Sequence, residues 1–415
     1  MSIIKRLQER TGITGEMTAV LAVMGLTILA MSLPNPVLPL YLTSIGIGPA
    51  LLGTMLSVAM FGMAIGEAGW GWLADRTGIR LAMITGTFFT GLSVLMFVFT
   101  QSVPIIFSIF FIWGFLRSAV FGPIRGYIGT TAPPHKKATF MALSAVMLSA
   151  SSSIGALPSG FLVDSLGYHS IFYTSLGVSI IGGVIVLSTL KYNKISSGEV
   201  IKEETLNDIP PKLKFNLFSL TPMCLVTALR FFGLGSMMTF LPLFATEEAG
   251  VDITLVGVLF TIGGLANVAL TVPTGILADR MGKKNIMMAG MIVSAGAMAG
   301  IAYSGNFTWL VAYMVLNSLG MALFSPAALG LLSDSVPLNR QSTAMGFYGG
   351  ICENVGILAG SALGGVIWDA LGPQSTFFTG AIACGLGVVL CFTLVKNVVA
   401  GTPGVISTTG DDTIN

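Results

Sequence analysis

Twelve apolar runs separated by short polar breaks set the plan of this 415-residue chain. They fall at about 14–41, 50–73, 81–100, 104–130, 138–163, 169–190, 218–243, 253–277, 285–304, 307–333, 342–368 and 374–395. Each approaches or exceeds the roughly 20 residues a helix needs to cross a bilayer. The longest polar stretch, 191–217, divides the runs six and six. It holds Lys191, Lys194, Glu199, Lys202, Glu203, Glu204, Asp208, Lys212 and Lys214, with Pro210-Pro211 near its end. The pattern predicts an all-α polytopic membrane protein with twelve transmembrane helices in two six-helix bundles. The expected divisions are a bundle over 1–190, a linker over 191–217, a second bundle over 218–396 and a disordered tail, rich in Gly, Thr, Ser and Asp, over 397–415.

Composition agrees with that plan. The chain is 53% hydrophobic and 9% charged, with mean hydropathy +0.87, whereas a soluble protein carries about 25% charged residues. The net charge of +2 gives no sign of a nucleic-acid partner. The placement of the basic residues matters more than their number. With the N-terminus in the cytoplasm, the loops on that side hold every Lys and Arg except Arg117, Arg125 and Arg230. The opposite loops carry Asp164, Glu247, Glu248, Asp252 and Asp369 instead. That asymmetry is the positive-inside pattern and predicts a multi-pass cell-membrane protein with both termini cytoplasmic. Lys5, Arg6 and Arg10 resemble the start of a signal peptide. However, Met17–Leu33 lacks a small-residue cleavage pattern and is long enough to span, so it reads as an uncleaved first helix.

One string occurs twice. Gly71-Trp72-Leu73-Ala74-Asp75-Arg76-Thr77-Gly78-Ile79-Arg80 returns 204 residues later as Gly275-Ile276-Leu277-Ala278-Asp279-Arg280-Met281-Gly282-Lys283-Lys284. Gly71 and Gly275 are expected to let a neighbouring helix approach closely. Asp75 and Asp279, at a helix end, can accept hydrogen bonds from another helix N-terminus. Gly78 and Gly282 permit a tight turn. Arg76, Arg80, Arg280, Lys283 and Lys284 hold the loop on the cytoplasmic side, a topology signal as much as a functional one. Further pairs link the halves: Leu38-Pro39-Leu40-Tyr41 with Leu241-Pro242-Leu243-Phe244, Phe121-Gly122-Pro123 with Phe324-Ser325-Pro326, and Asp164-x-x-Gly167 with Asp369-x-x-Gly372.

The repeated Gly-x-Leu-Ala-Asp-Arg-x-Gly-x-(Arg/Lys) string resembles the signature loop of the major facilitator superfamily, present once in each half. Within that superfamily the chain looks most like the twelve-helix drug/proton antiporters, and Gly155-x-x-Pro158-x-Gly160 partly resembles their Gly-Pro motif. The resemblance implies a transporter rather than an enzyme, acting by alternating access. Its substrate site would lie between the halves near the midplane, with the Asp75 and Asp279 loops as gates.

Five charges fall inside predicted helices, where each costs about 2.5–3.5 kcal/mol on insertion scales. Arg117, Arg230 and Glu353 lie near helix centres and are candidates for substrate and proton handling; a static ion pair is the alternative. Glu67 and Arg125 lie nearer the cytoplasmic face and read as a structural or gating pair, with a proton role open to Glu67. Helices 3, 6, 9 and 12 carry no such charge, as lipid-facing helices of the superfamily would not. Gly349, Gly356, Gly360 and Gly364 share a stripe with Glu353 on helix 11, and Gly62 and Gly66 lie four apart on helix 2. These stripes are expected to form a moving contact between the two helices, with ordinary static packing as the alternative. Asn35, beside Pro34 and Pro36, and Asn267, Asn317 and Asn354 are candidate ligand contacts or interhelical hydrogen bonds. The 26 Phe and 22 Met suit an adaptable apolar cavity.

Cys224, Cys352, Cys384 and Cys391 sit in apolar runs without metal-ligand spacing, and His135 and His169 form no cluster. No disulfide, metal or other cofactor is expected. The leading expectation is proton-coupled efflux of a small amphipathic or organic compound by a monomer in the lipid bilayer. The alternatives are proton-coupled uptake of an organic anion, which Arg117 and Arg230 favour, and a non-transporting receptor on the same fold.

Overall fold

The structure is a computed structural model that describes residues 15–131, 137–189, 220–336, 345 and 347–395. Twelve helical units follow one another. In the first half these are α1 (Gly15–Ser32, resumed at Leu38–Ser44), α2 (Pro49–Thr77), α3 (Ile79–Ile84, extended through Phe99), α4 (Val103–Thr131), α5 (Lys137–Leu166) and α6 (His169–Thr189). The second half holds α7 (Thr221–Leu243), α8 (Ile253–Met281), α9 (Lys283–Ala302), α10 (Phe307–Ser335), α11 (Asn354–Leu371, preceded by a π turn at Tyr348–Glu353) and α12 (Pro373–Leu394). Eleven of them are long and apolar enough to cross a membrane, and α1 contributes a shorter apolar stretch, Val20–Ser32. The predicted linker, the tail and the N-terminal residues 1–14 lie outside the described residues.

Proline explains where the helices bend, and neighbouring hydroxyls explain why bending is tolerated. Pro34 cannot donate to the Ala30 carbonyl four residues back. Ser175 Oγ of α6 donates to that carbonyl instead, at 2.8 Å. Pro326 frees the Ala322 carbonyl in the same way, and Thr274 Oγ1 of α8 donates to it at 2.6 Å. In hydrocarbon an unpartnered carbonyl would cost several kcal/mol, so these side chains are what permit the kinks.

Glycine sets the close helix approaches. Gly62 and Gly66 pack against Phe111 and Phe115 of α4. Gly356 and Gly360 pack on the Ala228 and Phe232 carbonyls of α7, and Gly364 on Phe240 and Ser236. These stripes therefore cement each half internally, contrary to the moving contact expected of them. The contact between α2 and α11 uses different faces. Gly53 meets the Ser361 carbonyl and Gly365 meets that of Pro49. Ser57 Oγ donates to the Leu358 carbonyl at 2.7 Å.

Among the described residues the apolar core joins the halves at one end only. Leu40, Leu42 and Leu52 of the first half share a buried cluster with Phe240, Leu243, Val256 and Leu259 of the second. Toward the Asp75 and Asp279 turns the cores separate. Trp70, Ala74, Ala82 and Ala119 form one cluster, and Ala278, Ile286, Leu331 and Leu332 belong to another. Helices α2 and α8 both start at the joined end and run 29 residues, roughly 43 Å. Both turns therefore lie at the same, unjoined end.

One expectation about covalent structure is corrected: Cys224 of α7 and Cys352 are joined as a disulfide. They are 128 residues apart in the chain, and facing helices bring them together.

A Cβ at Gly360 would meet the Phe232 carbonyl, whereas one at Gly71 meets nothing. Gly360→Val should therefore cost about 1–3 kcal/mol or more and lower the melting temperature of the purified protein, with Gly71→Ala close to wild type.

Candidate functional site

A cavity of about 370 Å³ lies between the halves. The first half contributes Ser32 and Asn35 from the α1 break and Ser149, Ser152 and Ser153 from α5. From the second half come Met237 and Met238 of α7, Phe260 and Asn267 of α8, and Met314, Asn317 and Met321 of α10. The lining combines hydroxyls, amides, thioethers and apolar carbons. It includes no ionisable side chain among the described residues.

The same helices close one end of the cavity. Thr261 Oγ1 of α8 donates to the Ser153 carbonyl of α5 at 2.9 Å. Gly257 packs on the Ala156 carbonyl, and Gly160 on Ile253 and Thr254. Across the cavity, the Asp369 carboxylate at the end of α11 accepts from the Ala50 backbone N–H of α2 at 3.1 Å. A carboxylate on the first turn of a helix interacts favourably with its unpaired N–H groups and dipole.

Three of the charged candidates do not line the cavity. Arg230 is fully enclosed (0% exposed), and its Nη2 donates to Asn317 Oδ1 at 3.4 Å. Its Nε and Nη1 have no hydrogen-bond partner among the described residues. Arg117 is half-buried, 5.0 Å from the Trp113 ring centroid, and interacts electrostatically with Glu67. Glu353 is half-buried on the π turn that opens α11, a turn that also carries Tyr348. Tyr348 in turn accepts from Thr227 Oγ1 of α7 at 3.0 Å. With the disulfide, that bond pins the turn carrying Glu353 to α7. Depth along a helix put these three charges together, but azimuth separates them.

Glu67 crosses the seam. A Cβ added at Gly350 would lie 3.3 Å from Glu67 Oε2, so this carboxylate rests against the same π turn that carries Glu353. Its predicted partner Arg125 has a side chain outside the described set, as does Asp75. Of the amide candidates, Asn35, Asn267 and Asn317 reach the cavity. Asn354 Nδ2 instead donates to the Gly350 carbonyl of its own chain segment at 3.0 Å. The α5 serines were not singled out from the sequence, although Ser149-Ala150-Ser151-Ser152-Ser153 is visibly polar for an apolar run.

The repeated loops keep their turns. Gly78 (φ 86°) and Gly282 (φ 93°) adopt conformations that glycine takes without strain. The close-packing role expected for the first glycine of each string does not hold among the described residues: a Cβ at Gly71 would meet none of them within 4 Å, and one at Gly275 would meet Pro326 alone. The final basic residue has matching roles in the two halves. Arg80 Nη2 donates to the Leu187 carbonyl near the end of α6 at 3.1 Å, and Lys284 Nζ to the Phe392 carbonyl near the end of α12 at 3.0 Å. A cation at a helix C-terminus meets the negative end of the dipole. Arg76 stacks on Trp72 at 3.9 Å, and Arg280 is exposed. Lys283 pairs with Asp334 of α10 at 2.6 Å. Among the described residues no three His, Cys, Asp or Glu side chains meet as a metal site would need.

The family model described as Major Facilitator Superfamily matches residues 20–221 and 223–409. An uncharacterized MFS-type transporter of Methanocaldococcus jannaschii is 24% identical over 368 residues, covering 88% of this chain and 94% of the relative. Multidrug resistance protein MdtG of Escherichia coli is 26% identical over 386 residues, covering 88% of this chain and 89% of the relative. Among solved structures, the nucleoside transporter NupG superposes with a TM-score of 0.72 at 15% identity, over 91% of this chain and 97% of that one.

Removing the Asp369 contact should favour opening of the joined end. At about 0.5–1 kcal/mol for a carboxylate on a helix N-terminus, Asp369→Ala should raise the open population roughly two- to fivefold. A membrane-impermeant maleimide added from that side should label Ser149→Cys correspondingly faster.

Proposed function

The chain belongs to the Major Facilitator Superfamily, and from that premise we propose that it is a secondary active transporter exporting small amphipathic organic compounds in exchange for protons. The observation that carries this reading is the cavity between the halves, closed at one end by small-residue and backbone contacts, while the apolar cores stay separate at the other. Such a seam can open and re-form without breaking a helix. The Lys and Arg asymmetry supports a cytoplasmic location for the unjoined end, the two termini and the Asp75 and Asp279 gates, in the plasma membrane. In that orientation the cavity faces the cytoplasm, where an exported compound enters. The protein acts as a monomer, since one chain supplies both halves of the site.

The lining favours a compound with apolar bulk and a few neutral polar groups, and its methionines can adapt to varied shapes. The multidrug-resistance name of the relatives at 25–26% identity supports export. Proton coupling is assigned to the acids at the α2–α11 seam. Glu67 rests against Gly350 and Glu353 follows on the same turn, so protonation there changes the charge held at a contact that must part and re-form. Arg230 behind the cavity wall favours a second reading, proton-coupled uptake of an organic anion.

Transport by purified protein in vesicles with an imposed pH gradient separates the two: export predicts proton exchange, uptake predicts co-movement. Glu353→Gln should abolish the pH dependence of transport; an unchanged profile leaves Glu353 a structural residue. Asp75→Asn should cut turnover about tenfold with ligand binding kept. Wild-type turnover in that variant removes the gating role.

A further inference from the structure

We infer that Asn317 reads the ligand of the central cavity as a hydrogen-bond donor, that Arg230 fixes it in that role, and that the ligand so selected presents an oxygen acceptor and is not a cation. The inference rests on the transport reading only in taking the cavity as the ligand site.

It starts from Arg230. A guanidinium carries five N–H donors and no acceptor, and this one is fully enclosed. Among the described residues its one hydrogen bond is to Asn317 Oδ1, and Nε and Nη1 have no partner. A buried cation so short of acceptors holds the one it has, because losing it leaves the charge uncompensated. Asn317 therefore has one amide orientation. Turning the amide over would set its NH2 group against the guanidinium, donor against donor.

The consequence appears on the other side of the amide. Asn317 Nδ2 is directed away from Arg230, toward Met237 Sδ at 3.2 Å. A thioether is a weak acceptor on a flexible side chain. Both residues line the cavity. Met237 thus occupies a donor that a carbonyl, carboxylate, sulfonyl or phosphoryl oxygen would take more strongly.

Charge works in the same direction. A cation entering the cavity sheds its water and meets no carboxylate among the described lining residues. It also faces a guanidinium held behind Asn317. An acceptor oxygen, neutral or anionic, is favoured by that field. The serines and the amides of Asn35 and Asn267 supply adaptable polar contacts around it.

Four naphthalenes of similar size test this by binding to the full-length purified protein: 2-acetylnaphthalene, 2-naphthoate, 2-ethylnaphthalene and 2-naphthylmethylammonium. The ketone should bind more tightly than the ethyl compound and the ammonium, and the naphthoate arm tells whether an anion is accepted as well. Asn317→Asp removes the donor but leaves an oxygen for Arg230, so the fold is kept. It should weaken ketone binding roughly tenfold, leave the ethyl compound unchanged and strengthen the ammonium. Asn317→Leu, if it folds, should lose the ketone preference too, and Met237→Leu should keep it. Equal binding of ketone and ammonium by the wild type, an Asn317→Asp variant that binds the ketone normally, or no binding of any of the four overturns the inference. Binding is read without transport. A chain that shows the Asn317-dependent preference but moves no substrate keeps this inference and loses the transport reading; transport without the preference does the reverse.

Discussion

Inside a bilayer, a polar group released from its helix must find a partner within the protein, and the rest of this structure follows from how that is done. The prolines of α1 and α10 release carbonyls, and hydroxyls of α6 and α8 receive them. The seam between the halves uses the same chemistry at lower strength. Ser57 and Thr261 each share their one O–H between a carbonyl of their own helix and a carbonyl of the other half. Parting the halves therefore strands no hydroxyl, because each falls back on its own backbone carbonyl. A seam built from fixed ion pairs could not release so cheaply.

The glycines sort by the same criterion. Gly356 and Gly360 bring α11 onto α7 so closely that any side chain would collide with backbone. That contact belongs within a half and has no reason to move. Gly53 and Gly365 act between halves, where the seam must be tight while shut. Each half has its own core near the Asp75 and Asp279 turns, and among the described residues the two share apolar packing at the opposite end. The charges lie around this mechanism rather than in the cavity. Glu67 and Glu353 flank the seam, Arg117 stands by Glu67, and Arg230 backs the cavity wall.

Much of this was legible in the sequence. The twelve apolar runs and the repeated Gly-x-Leu-Ala-Asp-Arg string gave the helices and the matching turns at Gly78 and Gly282. Of the four amides read as candidate ligand contacts or interhelical hydrogen bonds, Asn35, Asn267 and Asn317 line the cavity and Asn354 bonds its own segment. What failed was azimuth. Gly364 and Gly365 are neighbours in sequence, yet one faces α7 and the other α2, and nothing local says which. Arg117, Arg230 and Glu353 share a depth but point to different surroundings. The Cys224–Cys352 bond joins helices 128 residues apart, beyond the reach of spacing rules. The α5 serines were visible but unremarkable, since serine in a helix commonly bonds its own backbone, as Ser153 does to Ser149.

The central claim is that two rigid halves exchange closure at one end for closure at the other. Pulsed electron-spin distances in lipid vesicles test it directly, with one label pair at the joined end on exposed Leu51 of α2 and Leu371 of α11, and another at the opposite end on exposed Arg76 and Arg280. Changing pH or adding ligand should lengthen one distance while shortening the other. Two distances that stay fixed, or that rise and fall together, would contradict the account.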